Sequence, residues 1–130
     1  MIERADAVTA QLADVWRLAI EDVASRRGGS RYVEDVLGGV EADAMLRSFV
    51  AERSLWSDDA ASIMVVSHRV IVALYVNPAQ RRRGRGRALV AVARDKADAR
   101  DALALPGDRA TKSLYESVGW KARLLTLGGE

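Results

Sequence analysis

IVALYVNPAQRRRGRGRALV, residues 71 to 90, sets a β-branched apolar run directly before a basic loop with two glycines and then a helical repeat. The run Ile71 to Val76 has the composition of a buried strand, and Pro78 ends it by removing a backbone donor. After Gly86 the apolar positions Leu89, Val92, Ala93 and Ala97 return at helical spacing. A helix that starts here leaves its first N–H groups without intrahelical partners, and the helix dipole adds positive potential at the same place. Gly84 and Gly86 let the backbone approach an anion, while Arg81, Arg82, Arg83, Arg85 and Arg87 supply screened attraction. A diphosphate suits such a terminus. An arginine-rich loop taken by itself is equally compatible with a solvated or nucleic-acid-binding patch.

Upstream, Ile2 to Arg4 suits a short strand. Val8, Leu12, Val15, Trp16, Ala19, Ile20 and Val23 then predict a helix from about Asp6 to Ser25, stopped by Gly28 and Gly29. Ser30 is placed to cap a short second helix, and Met45, Leu46, Phe49 and Val50 mark a third. SLWS, ASIMVV and RVIVALYV read as three strands of an antiparallel meander, separated by Asp58 and Asp59 and by Ser67 to Arg69. Downstream, the ALAL run at 102 to 105 suits a short buried strand. Asp108 can cap a helix reaching about Val118, ended by Gly119, and Ala122, Leu124 and Thr126 alternate as a final strand. The whole predicts an α/β (α+β) domain over residues 1–130, with a mixed, mostly antiparallel central sheet flanked by helices.

Composition closes several other routes. A chain of 130 residues holds one compact domain, and 49% hydrophobic with 29% charged residues is the balance of a globular protein. The first residues are too polar for a signal peptide, and no apolar stretch approaches the ~20 residues of a membrane helix, so no membrane partner and a cytoplasmic location are expected. With no cysteine and a single histidine, His68, a disulfide framework, a zinc-type site and an acyl-cysteine intermediate all lack their residues. No metal is expected. The formal net charge is only +2, so the arginine cluster, rather than the total, calls for explanation.

The loop is neither a Walker motif, for Lys-Ser/Thr is missing after the second glycine, nor a dinucleotide fingerprint, for Leu89 stands at the third glycine. It resembles the coenzyme A loop of the GNAT acetyltransferase superfamily, Q/R-x-x-G-x-G/A after a strand ending V-x-P, matched here by Arg81-x-x-Gly84-x-Gly86 after Val76-Asn77-Pro78. A second match lies in GDRATKSLYESVGW, where Leu114, Tyr115, Gly119 and Trp120 fall on the family's positions. The resemblance implies a GNAT-like acyl-CoA N-acyltransferase fold with acetyl-CoA as co-substrate. It implies that Leu74, Tyr75 and Val76 pair their backbone with the pantetheine arm, that Arg82 to Arg87 cradle the pyrophosphate, and that Tyr115 protonates the departing thiolate. A phenol with an ordinary pKa near 10 is protonated at neutral pH and can serve as that acid.

Three departures from the family pattern bear on function. Asp108 stands where relatives carry Asn, so its hydrogen bond to the pantetheine amide is weakened or replaced by helix capping. Neither RVIVALYV nor ALAL contains a carboxylate, which leaves Glu52, Asp58, Asp59 and His68 as the nearest candidates for a base, each better read as turn or surface chemistry. The family's seventh strand is not evident, so either the sheet is one strand short or a second copy of the chain supplies it. The expected activity is acetyl transfer to an amine of a small molecule or protein, with a homodimer as the expected assembly and no nucleic acid partner. The alternatives are a catalytically degenerate coenzyme A binder and a basic nucleic-acid-binding module. Trp16, Tyr32, Phe49 and Trp56 are expected mainly in the core rather than in an acceptor pocket.

Overall fold

The structure is a computed structural model and describes residues 1–58 and 61–127. Its elements are β1 (Glu3–Arg4), α1 (Ala10–Ala24), α2 (Gly29–Asp35), α3 (Ala42–Ala51), β2 (Leu55–Asp58), β3 (Ser62–Ser67), β4 (Val70–Val76), a 3-10 turn (Pro78–Gln80), α4 (Arg85–Lys96), β5 (Asp101–Ala102) and α5 (Arg109–Ser117). The five strands form one sheet in the order β1-β2-β3-β4-β5. Every pairing is antiparallel except β4 with β5.

Period-two alternation sorts the strands' side chains onto two faces. Leu55, Ile63, Val65 and Val72 pack with Trp16, Leu46 and Phe49 of α1 and α3. Trp56, Met64, Val66 and Ile71 pack with Leu89, Val90 and Ala93 of α4 and Tyr115 of α5. The expected core aromatics are confirmed in part. Trp16, Phe49 and Trp56 are buried, with the Trp16 and Phe49 rings edge-on at 5.8 Å, whereas Tyr32 is half-buried. Trp16 Nε1–H donates to the Ala42 carbonyl at 2.8 Å, so its one polar atom is satisfied inside the core.

A β-bulge in β4 decides where the site lies. The register steps from Val65↔Ala73 to Val66↔Ile71, which leaves Val72 as an extra residue, and Val72 and Ala73 accordingly face the same side. Bulges bend a strand and raise its twist. β4 and β5 pair only through Val70 and Ile71, the last contact being Leu103 N–H to the Ile71 carbonyl at 3.0 Å. From Val72 onward β4 has no strand partner on that side among the described residues, and a wedge opens between it and the segment that follows Leu103.

Several boundaries differ from expectation. Thr9, whose Oγ1 accepts from Leu12 N–H at 3.1 Å, starts α1 later than the apolar spacing suggests. Gly28, not Ser30, precedes α2, with Ser30 inside the helix. Gly28 holds φ +78, a left-handed conformation that costs glycine no side-chain clash. The expected strand at 102 to 105 shrinks to Asp101–Ala102, because the bulge carries β4 away and Leu103 is left exposed. The expected last strand is absent: residues 121–127 join no ladder, and Leu124 is 80% exposed.

Candidate active site

The loop after β4 builds a terminus made almost entirely of backbone. Asn77 Oδ1 accepts from Ala79 N–H at 3.1 Å and shapes the 3-10 turn. Arg82 (φ +65) and Gly84 (φ +76) then take left-handed conformations that turn the chain into α4. The first hydrogen bond of that helix runs from Ala88 N–H to the Gly84 carbonyl at 3.0 Å. The amides of residues 82 to 87 therefore donate to no group among the described residues, and Gly84 caps the helix with no side chain in the way. A Cβ at Gly84 would meet nothing within 4 Å, so that side of the loop is open. Six adjacent unpartnered donors at the positive end of a 12-residue helix make a terminus suited to an anion such as a diphosphate.

Gly86 acts differently from the expectation that both glycines clear space for the anion. A Cβ there would lie 2.8 Å from Leu114 Cδ2, so its bareness lets α5 pack against α4. The arginines also divide into two groups. Arg81 Nε–H donates to the Val76 carbonyl at 3.0 Å, and its guanidinium lies 5.9 Å from the Tyr75 ring centroid. Arg85 pairs with Asp58, which also receives the Met1 ammonium at 3.2 Å. Arg83 reaches Gln80 Oε1 at 3.5 Å, while Arg82 and Arg87 make no ion pair among the described residues. Arg81 and Arg85 shape the loop, and Arg82 and Arg87 are exposed to solvent.

Asn77 N–H bonds the Ala61 carbonyl at 2.8 Å, so by antiparallel alternation Tyr75 also turns its peptide groups to β3. Leu74 and Val76 turn theirs into the wedge. The Val76 carbonyl is taken by Arg81, and its N–H remains directed into the wedge.

Tyr115 approaches from α5. It is 6% exposed, stacks on Trp120 at 5.7 Å, and its hydroxyl has no hydrogen-bond partner among the described residues. Burial pushes its phenol well above the ordinary value, with Tyr32 and Asp108 adding to the rise. Tyr32 belongs to the α1–α3 side of the sheet and Tyr115 to the α4–α5 side. A buried hydroxyl with no acceptor normally carries a desolvation cost. Asp108 caps α5: Oδ1 accepts from Thr111 N–H at 3.1 Å and Oδ2 from the Thr111 hydroxyl at 2.7 Å, with Arg26 at 3.8 Å. Of the two roles considered for Asp108, the geometry gives capping.

The candidate bases do not converge on the wedge. Glu52 and His68 line a cleft at the other end of the sheet, Asp58 is engaged by Arg85, and Asp59 lies outside the described residues. The last turn of α1 brings groups that the sequence did not single out. Arg26 bonds both oxygens of Asp22 at 3.2 Å and reaches the Gly107 carbonyl at 3.4 Å, which ties α1 to the turn before α5. Burial raises the Tyr75 phenol, Arg81 opposes this, and the charges of Asp22 and Glu21 raise it further. Both carboxylates thus act on β4 beside the wedge. Only position on the polar face of α1 marks them, and most solvated residues share that property.

The family model described as Acetyltransferase (GNAT) domain matches residues 45–122, from within α3 past Trp120. The chain belongs to the GNAT acetyltransferase family. The match contains the bulged strand, the arginine loop and the tyrosine helix, and GNAT domains generally bind acetyl-CoA. No curated protein and no solved structure is a significant match. No helix among the described residues is long and apolar enough to cross a membrane.

Proposed function

We propose that this GNAT domain transfers an acetyl group from acetyl-CoA to an amine of a small molecule or protein by direct attack. The observation that carries the reading is the run of six unpartnered amides, Arg82 to Arg87, immediately after the open edge of β4. The protein groups fit the co-substrate: a main-chain cradle for the pyrophosphate, the Leu74 and Val76 peptide edge for the pantetheine arm, and the partnerless Tyr115 hydroxyl beside the thioester sulfur. Acetyl-CoA supplies an activated acyl group and a thiol leaving group. Val76 N–H polarises the carbonyl, and Tyr115 donates its proton as the thiolate departs. Burial raises its phenol above the ordinary value, and the same water-poor wedge raises the basicity of the departing thiolate that must take the proton.

Glu21 is exposed, its carboxylate enters no hydrogen bond or ion pair among the described residues, and it acts electrostatically on Tyr75. In this proposal it attracts the cationic acceptor and takes up the proton that the amine must lose. The half-buried pairing of Arg85 with Asp58 favours the cofactor reading over a nucleic-acid patch, which would need that guanidinium outward.

The test is thiol release from acetyl-CoA over a panel of amines, with wild type and Tyr115→Phe. The proposal expects turnover in the wild type and a loss of about a hundredfold or more in kcat for the variant, with acetyl-CoA binding retained. Unchanged turnover at every pH would overturn the acid role. Tight acetyl-CoA binding with no release for any amine would leave the degenerate coenzyme A binder instead.

A further inference from the structure

A cleft of about 700 Å³ lies at the other end of the sheet from the arginine loop. β1 contributes Arg4, the end of α3 contributes Arg53, the β3–β4 turn contributes His68 and Arg69, and the end of α4 contributes Lys96. Trp56 and Val66 give it an apolar part. Since α4 has 12 residues, its two ends lie about 18 Å apart, and the cleft is remote from the acetyl-CoA cradle.

The charges in the cleft are unbalanced. Arg69 is neutralised by Asp98, its Nε–H donating to Oδ2 at 2.8 Å. Arg53 pairs with Asp6 at 3.4 Å, but both side chains are well exposed, and such a pair yields readily to a better anion. Arg4 and Lys96 pair with no carboxylate among the described residues. The Arg4 guanidinium lies 4.8 Å from the Trp56 ring centroid, and its buried Nε has no acceptor among the described residues. Glu52 is the one lining carboxylate not committed to a cation, and it accepts from the Ser48 hydroxyl at 3.4 Å. The C-terminal end of the α4 dipole disfavours anions, and Arg94 and Lys96 in the last turn offset it.

The backbone supports the same reading. Arg53, His68, Arg69 and Asp98 all have positive φ, at 59°, 52°, 67° and 51°. Two consecutive positive-φ residues at the β3–β4 turn are ordinarily Asn-Gly, which relieve the strain that His68 and Arg69 accept. Both residues of the turn line the cleft.

We propose that this cleft binds a small organic anion bearing a phosphate or carboxylate group, with Arg4 and Lys96 as its main partners and Arg53 closing over it. The volume is that of a small-molecule site. The cations converge from several elements rather than forming the stripe that a nucleic acid backbone needs.

The test uses ¹H–¹⁵N spectra of the full chain with acetyl-CoA added to fill the loop. It is titrated separately with sodium phosphate and with citrate at constant ionic strength, against chloride. Saturable shifts of Arg4, the Trp56 indole, His68 and Lys96 are expected, and the anion that saturates at lower concentration identifies the preferred group. Arg53→Glu with Lys96→Glu should weaken binding at least about tenfold while the remaining spectrum is preserved, because both side chains are exposed. Shifts that fail to saturate, that appear only at residues 82 to 87, or that survive charge reversal would overturn the proposal. A short DNA duplex that moves the cleft resonances at lower concentration than either anion would overturn it in favour of nucleic acid.

Discussion

Gly86 and Leu114 pack so closely that a Cβ on the glycine would lie 2.8 Å from Leu114 Cδ2, whereas the same atom on Gly84 would touch nothing. One glycine is required by space and the other by its φ of +76. Gly86→Ala should therefore displace the partly exposed Leu114 side chain and shift the Leu114 methyl and Trp120 indole resonances, with an overpacking cost of about 1 kcal/mol partly offset by alanine's better helix propensity. Gly84→Ala should cost a similar ~1 kcal/mol from left-handed strain and leave α5 in place. Urea unfolding and NMR of the two variants check this, and undisturbed Leu114 methyls in Gly86→Ala would contradict it.

The Asp58–Arg85 pair fastens the end of β2 to the start of α4, with side chains only 15% and 30% exposed. Asp58→Asn leaves a half-buried guanidinium whose Nε already has no acceptor. The expected loss is about 1–3 kcal/mol in urea unfolding, accompanied by weaker acetyl-CoA binding. Arg85→Met added to Asp58→Asn should recover part of the stability. A double-mutant cycle with no coupling would refute the pairing.

Tyr32 and Tyr115 have phenols raised by burial, which gives a signed prediction in alkali. Above about pH 10 an unfolded tyrosine releases its proton while the folded one retains it. The unfolded state then binds fewer protons, so stability is full below that pH and falls above it. Denaturant midpoints measured from pH 8 to 11 should decline beyond about pH 10. The decline should be smaller in Tyr32→Phe and Tyr115→Phe, and variants as alkali-sensitive as wild type would contradict the assignment.

We propose that the homodimer expected from the sequence forms through the tail. Leu124, Leu125 and Leu127 are 80%, 70% and 82% exposed, and β5 has no neighbour beyond β4 among the described residues. An unpaired edge beside exposed leucines suits a second copy of the chain. Light scattering is expected to give twice the 14.1 kDa chain mass, reduced by Leu124→Asp with Leu127→Asp. A monomer mass at high concentration would exclude the dimer.

The strand-loop-helix at 71 to 90 was legible because each boundary has a local cause: a β-branched run, Pro78, and glycine at the helix start. The tyrosine helix was legible from the Asp108 cap and from Gly119 at φ +93. The bulge was not. Val72 and Ala73 are both apolar, so the slip onto one face leaves no polar residue to mark it. That hidden bend also defeated the reading of ALAL, since Leu103 looks buried only if β4 stays alongside. The alternation of Ala122, Leu124 and Thr126 was real, but a strand also needs a neighbour, and two-residue β5 offers little template. Gly86 shows a further limit: sequence marks a close approach without saying whether a ligand or Leu114 makes it.

The most direct measurement is a calorimetric titration of the chain with acetyl-CoA, followed in ¹H–¹⁵N spectra. One molecule should bind per chain, with shifts concentrated at the amides of residues 82 to 87, at Leu74 and Val76, and at Tyr115. No heat, or binding that leaves those amides unmoved, would contradict the cradle on which this account of the protein rests.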